Sequence, residues 1–157
     1  MASMDGEQFV VHSFIKPNTI EFRRYQIDLA SECVKKNLLV MIPTGLGKTV
    51  IASLVIAEHL RLFPDKKCLI LAPTRVLVHQ HNDFLIKHLN FEENGIVAIT
   101  GEDSLKLRKE KWGSKIISST PQIFRSDLNH GIIRPEDFSL LIFDEAHRAI
   151  GDHPYCT

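Results

Sequence analysis

Five short apolar runs punctuate this sequence, at 38–42, 68–72, 96–99, 116–118 and 139–143, and all but the last are followed by a stretch that reads as helix. Runs without polar alternation suit strands buried on both faces. Such strands alternating with helices predict a parallel, doubly wound α/β sheet. Helices are expected over 18–36, 48–62, 74–89 and 103–112, with a further one after Thr120-Pro121. Asn18 with Glu21 three residues later reads as a capping-box start. Thr74 and Thr120 read as N-caps, and Pro121 suits the first helical position. In 48–62, residues Ile51, Ala52, Leu54, Val55, Ile56 and Ala57 leave little polar face, as in a helix packed against a sheet. No internal repeat or linker-like segment interrupts the pattern. In such a fold the ligand crevice lies beyond the carboxyl ends of the strands.

Composition bounds the function classes. The 157 residues suit one domain, and 44% hydrophobic with 24% charged is ordinary globular usage. Lys plus Arg is 19 and Asp plus Glu is 19, so a nucleic-acid partner would have to be met by a local patch. Cys33, Cys68 and Cys156 are odd in number and form no C-x-x-C pair, which points to neither a disulfide framework nor a zinc site. That usage fits a reducing, intracellular compartment. No apolar run approaches the roughly 18 residues of a membrane span, and residues 1–10 carry no basic leader pattern. Residues 1–17 read as an N-terminal extension, with Met1-Ala2-Ser3 before Met4 read as a cloning scar.

Two polar motifs fall at strand carboxyl ends. Gly45-Leu46-Gly47-Lys48-Thr49 follows the first apolar run and opens a helix. This is the setting of a phosphate loop: glycines turn backbone N–H groups toward one anion, and the helix terminus adds partial positive charge. Lys48 would then reach the β/γ phosphates and Thr49 would ligate magnesium. Ile42 stands where the strict pattern has glycine, and a plain strand–turn–helix corner is the competing reading. Asp144 and Glu145 end the last apolar run. An acid at the tip of a buried strand is costly without a cation or solvent. Beside a phosphate loop, Asp144 reads as a magnesium partner through water, and Glu145 as the group that orients or deprotonates the attacking water. A solvated strand end or a helix cap is the competing reading.

With both motifs in view, the chain resembles the first RecA-like lobe of superfamily 2 helicases and translocases. Pro43–Thr49 resembles motif I, and Asp144-Glu145-Ala146-His147 resembles motif II. Arg23-Arg24-Tyr25-Gln26 is similar to the adenine-reading segment of that family. Ala72-Pro73-Thr74-Arg75, Thr100-Gly101 and Thr120-Pro121-Gln122 resemble its strand-contacting motifs. P-T-G-L-G-K-T with D-E-A-H-R-A-I-G looks like the archaeal Hef and Fanconi anaemia M-type fork-remodelling branch. Arg75-Val76 departs from the Lys-Pro common there.

The resemblance implies a RecA-like P-loop NTPase lobe over 18–157, using ATP and Mg2+. Lys48, Asp144, Glu145 and His147 would carry catalysis, His147 by coupling to a second lobe. Arg23, Gln26, Thr44, Gly45, Leu46, Gly47, Lys48 and Thr49 would hold the nucleotide, with Thr49 and Asp144 on magnesium. Thr74, Arg75, Thr100, Gly101 and Thr120 would touch a nucleic-acid backbone, which positions a strand without reading its sequence. The family's second lobe and its motif III strand have no counterpart before Thr157, so a fragment with an incomplete sheet is expected. The implied partners are branched DNA, or alternatively double-stranded RNA, with no membrane. The implied location is the cytoplasm or nucleoid of a prokaryote, or a nucleus. A nucleotide-dependent interaction module without turnover is the alternative from another class.

Some residues stay ambiguous. Lys106, Arg108, Lys109, Lys111 and Lys115 form a basic run that suits a nucleic-acid face, though a solvated helix is the more frequent cause of such a run. Trp112 could stack on a base but suits anchoring that short helix. His79 and His81 stand at i, i+2 and do not share a helix face, which rejects a metal pair.

Overall fold

Four of the five expected strands pair in one sheet, in the spatial order 96–99, 116–119, 67–71 and 138–143, every pair parallel. In a computed structural model, which describes residues 8–38, 40 and 47–145, these are β1 (Lys67–Leu71), β2 (Ile96–Ile99), β3 (Ile116–Ser119) and β4 (Phe138–Phe143). The helices are α1 (Arg24–Lys35), α2 (Lys48–Leu62), α3 (Arg75–His88), α4 (Leu105–Lys111) and α5 (Pro121–Asn129). The expected first strand, 38–42, falls largely outside the described residues.

The chain divides into two units. One holds the sheet, within Asp65–Asp83 and the residues from Glu92 onward. Its strand side chains alternate between faces. Leu69, Leu71, Ile99 and Ile117 point to one face and form a core with Trp112, Ile133 and Phe138, against Ile123, Phe124 and Leu128. Ala72, Ala98 and Val78 form a second cluster, with Leu77 packed on it. Trp112, Phe124 and Phe138 meet one another at 6.1–6.3 Å between ring centres. Trp112 is 2% exposed and donates its indole N–H to Asp127 at 2.8 Å, so it anchors its helix and does not stack on a base.

β4 departs from the expected burial on both faces. Its pairing with β1 shifts register between Lys67 and Cys68, so Leu141 and Phe143 lie opposite Leu69 and Leu71. Among the described strands β4 pairs only with β1, and both of these side chains are exposed.

The other unit comprises the residues up to Pro64 together with Phe84–Phe91. The helix expected from Asn18 begins only at Arg24. Residues before it pair instead: Phe9 bridges Glu21 antiparallel, Val10 N–H donates to the Ile20 carbonyl, and Phe22 N–H donates to the Gln8 carbonyl. Asn18 adopts φ 60°, a left-handed turn that asparagine tolerates better than most residues. The expected capping box therefore does not form; its backbone groups are spent on this pairing. α1 buries Gln26, Ile27 and Ala30, and α2 is buried from Ser53 through Leu60, consistent with its apolar sequence. The two helices pack on each other.

Candidate active site

Parallel register brings the sheet's functional residues to one edge. Leu71 pairs with Ser119 and Phe143, and Ser119 pairs with Ile99. The next residues along these strands, Ala72, Thr100, Thr120 and Asp144, therefore emerge at a common carboxyl edge. At about 4.8 Å between strands, that edge is about 15 Å wide.

Among the contacts that hold Asp144 there are three hydrogen bonds. Its backbone N–H donates to the Leu71 carbonyl at 2.8 Å. Its Oδ1 accepts the Glu145 backbone N–H at 2.9 Å. Its Oδ2 lies 2.8 Å from His81 Nε2 of α3. An ionised carboxylate only accepts, so Nε2 carries the proton. Glu145 adopts φ 58°, a left-handed conformation that costs a non-glycine residue of order 1 kcal/mol. Both acids are half-buried. His81 escaped the sequence reading because its partner lies 63 residues later, at a strand end that only the sheet brings beside α3.

The strand-contacting candidates differ among themselves. Thr74 caps α3, its Oγ1 accepting the Leu77 N–H at 3.3 Å, as expected. Thr120 occupies the N-cap of α5, but its side chain makes no capping bond, and the residue is buried. Thr100 is buried too; its N–H donates to Asp103 Oδ2 at 2.9 Å and its hydroxyl accepts the Glu102 N–H at 3.4 Å. Gly101 is exposed, with open space where a Cβ would stand. Arg75 is exposed and pairs with Glu102, which follows Gly101. The basic run is partly spent inside the fold. Arg108 binds Asp127 at 2.9 Å, and Lys111 binds Asp103 and the Ala98 carbonyl, both at 2.8 Å. Lys106 and Lys109 remain exposed.

In the other unit, Gly47 is the N-cap of α2 at φ 82°. That conformation favours glycine, and a Cβ there would collide with Gln26 Nε2. Gln26, on α1, thus lies buried against the last glycine of the phosphate motif. Lys48 begins α2 and is exposed, and Thr49 is half-buried. Arg23, the N-cap of α1, is exposed and pairs with Glu21 at 3.4 Å. Thr44, Gly45, Leu46 and His147 lie outside the described residues.

A DEAD/DEAH box helicase family model matches residues 23–154. A Methanocaldococcus jannaschii protein provisionally named ATP-dependent RNA helicase is 47% identical over 148 residues, covering 94% of this chain and 19% of that protein. ATP-dependent DNA helicase MPH1 of Candida albicans is 39% identical over 154 residues, covering 98% of this chain and 13% of that protein. The Fanconi anemia group M protein homolog of Mus musculus is 35% identical over 144 residues, 91% of this chain and 7% of that protein. The crystal structure of the Pyrococcus furiosus Hef helicase domain superposes with a TM-score of 0.86 at 41% identity, covering 90% of this chain and 30% of that one. The chain thus spans a fifth or less of the length of these curated relatives.

Proposed function

Because the chain belongs to the DEAD/DEAH box helicase family, we propose that it is part of the ATP-binding first lobe of an ATP-dependent DNA helicase or translocase acting on forked or branched DNA. One observation carries the reading. A single sheet edge bears the motif II acids Asp144 and Glu145 together with the loops of Thr74-Arg75, Thr100-Gly101 and Thr120. Chemistry at one end of that edge and a nucleic-acid backbone along the rest would be joined by a few strands. The DNA helicase names of several relatives support the substrate class.

In this reading Lys48 holds the β/γ phosphates, the Gln26 amide pairs with the adenine edge, and Glu145 orients or deprotonates the attacking water. Thr49 and Asp144 supply oxygen donors, the chemistry a hard divalent cation selects. Magnesium there would neutralise charge developing on the phosphates. A second lobe, beyond these residues, would supply the arginine that stabilises the transferring phosphoryl group, and His147 would couple to it. No described helix is long and apolar enough to cross a membrane, and an intracellular location is proposed with the activity.

A second reading keeps the lobe and changes the substrate to RNA, in particular duplex RNA; the name of the Methanocaldococcus relative supports RNA. The test compares ATP hydrolysis by the complete protein with forked DNA and with duplex RNA. Greater stimulation by forked DNA is expected, and greater stimulation by RNA would replace the first reading with the second. Lys48→Ala and Glu145→Gln should each abolish turnover. Unchanged ATP hydrolysis in Glu145→Gln would remove the catalytic role assigned to that residue. A complete protein that binds nucleotide without turnover would be an interaction module.

A further inference from the structure

We propose that His81 is a positioning residue for the motif II carboxylate, its Nε2–H orienting Asp144 for magnesium-nucleotide binding. This rests on the reading of Asp144 as a partner of magnesium. The geometry is specific. Nε2 to Oδ2 is 2.8 Å, and the side chains are only 12% and 23% exposed, so little water competes for the bond. The opposite carboxylate oxygen takes the Glu145 N–H, so a donor on each oxygen fixes the carboxylate's rotation. The backbone bond from Asp144 to Leu71 fixes where that carboxylate starts.

The contact also ties two parts of the sheet edge. α3 begins at Arg75, next to Thr74, and His81 lies six residues on, about 9 Å along the helix axis. One rigid element thus carries two of the proposed strand-contacting residues at its start and the donor to Asp144 one and two-thirds turns later. His79, two positions earlier, lies within electrostatic reach of a different acid, Asp103. Outer hydrogen-bond partners of metal-binding carboxylates commonly change metal affinity by about 10- to 100-fold when removed. A purely structural tie between α3 and β4 would move thermal stability alone.

The experiment titrates magnesium against binding of a fluorescent ADP to the complete protein. It uses wild type, His81→Leu, which keeps bulk and removes the donor, and His81→Gln, whose amide can donate from a similar position. The expected result is an about tenfold rise in the magnesium concentration at half-saturation for His81→Leu, with His81→Gln within about threefold of wild type. Equal behaviour of the two variants, whether like wild type or equally impaired, overturns the proposal. Should His81→Leu fail to fold, His81→Gln alone decides, and a tenfold shift there overturns it. Lys48→Ala separates the two levels. If it binds nucleotide as wild type does, the reading of the site fails and takes the inference with it. If it loses binding while His81→Leu titrates normally, only the inference fails.

Discussion

Two arginine–carboxylate pairs in the sheet unit use the same chemistry in opposite settings. Arg108 grips Asp127 with Nε at 3.1 Å and Nη2 at 2.9 Å, and Asp127 is completely buried. Arg75 meets Glu102 where both side chains are more than half exposed. A surface pair of this kind contributes about 0–1 kcal/mol, whereas breaking a buried pair costs about 3–5 kcal/mol. Both arginines belong to sequence features that suit nucleic acid. The difference teaches that a cation is available to a partner only where burial has not already assigned it. Arg108 is a tie between α4 and α5, and Arg75, exposed with its carboxylate, is the one the proposed strand contact would use.

The largest effect should come from cutting the buried pair. Asp127→Ala strands both the Arg108 guanidinium and the Trp112 indole N–H, each of which donates to Asp127. Urea unfolding should show a loss of about 3–5 kcal/mol. A loss below about 1 kcal/mol would erase the contrast with Arg75.

A third pair, in the other unit, sits between the two extremes. Glu58 is nearly buried while its partner Arg61 is half exposed. The Arg61 hydrogen bond holds the Glu58 carboxyl down at about 2, against the opposing effect of burial, with His12 adding to it. His12 Nδ1 accepts the Phe14 N–H, so its Nε2–H is the donor to Glu58 at 3.0 Å. The folded pKa lies below the unfolded value of about 4.5, so the stabilisation is complete above that pH and is lost as pH falls toward about 2. Glu58→Gln should cost about 2 kcal/mol at pH 7, a figure discounted for the exposure of Arg61. It should also flatten the acid dependence of stability across that window. A variant that keeps the wild-type slope there would assign the acid sensitivity to other carboxylates.

The same contrast explains what sequence could disclose. The four described strands were legible because continuous apolar runs have few other uses in a chain of this composition. The motifs were legible because their spacing is local. Residues whose meaning depends on a distant partner were not. Arg108 reads as one more cation in a basic helix until Asp127, 19 residues later, reaches it. His81 reads as a stray helix histidine until β4 places Asp144 beside α3. Leu141 and Phe143 belong to an apolar run like those of β1, but β1 has a neighbour on both sides and β4 pairs only with β1 among the described residues. Glu21 was lost as a capping residue because the Phe9 segment claimed its backbone.

The smallest effect on stability should be the most informative about binding. Glu102→Gln removes the carboxylate from Arg75 at an exposed position, so thermal unfolding should change by no more than about 0.5 kcal/mol. If Arg75 meets a strand backbone as proposed, that change should tighten single-stranded DNA binding about threefold at low salt, because phosphate no longer competes with Glu102. Arg75→Ala should lower the slope of log affinity against log salt by about 0.7, the share of one phosphate contact on a single strand. The double variant then isolates the pair. Removing Glu102 should have almost no effect once Arg75 is alanine, since the only gain was a freed guanidinium. An equal threefold gain in that background would mean that Glu102 acts through general repulsion, and Arg75 would lose its claim to be the exchangeable member of the comparison.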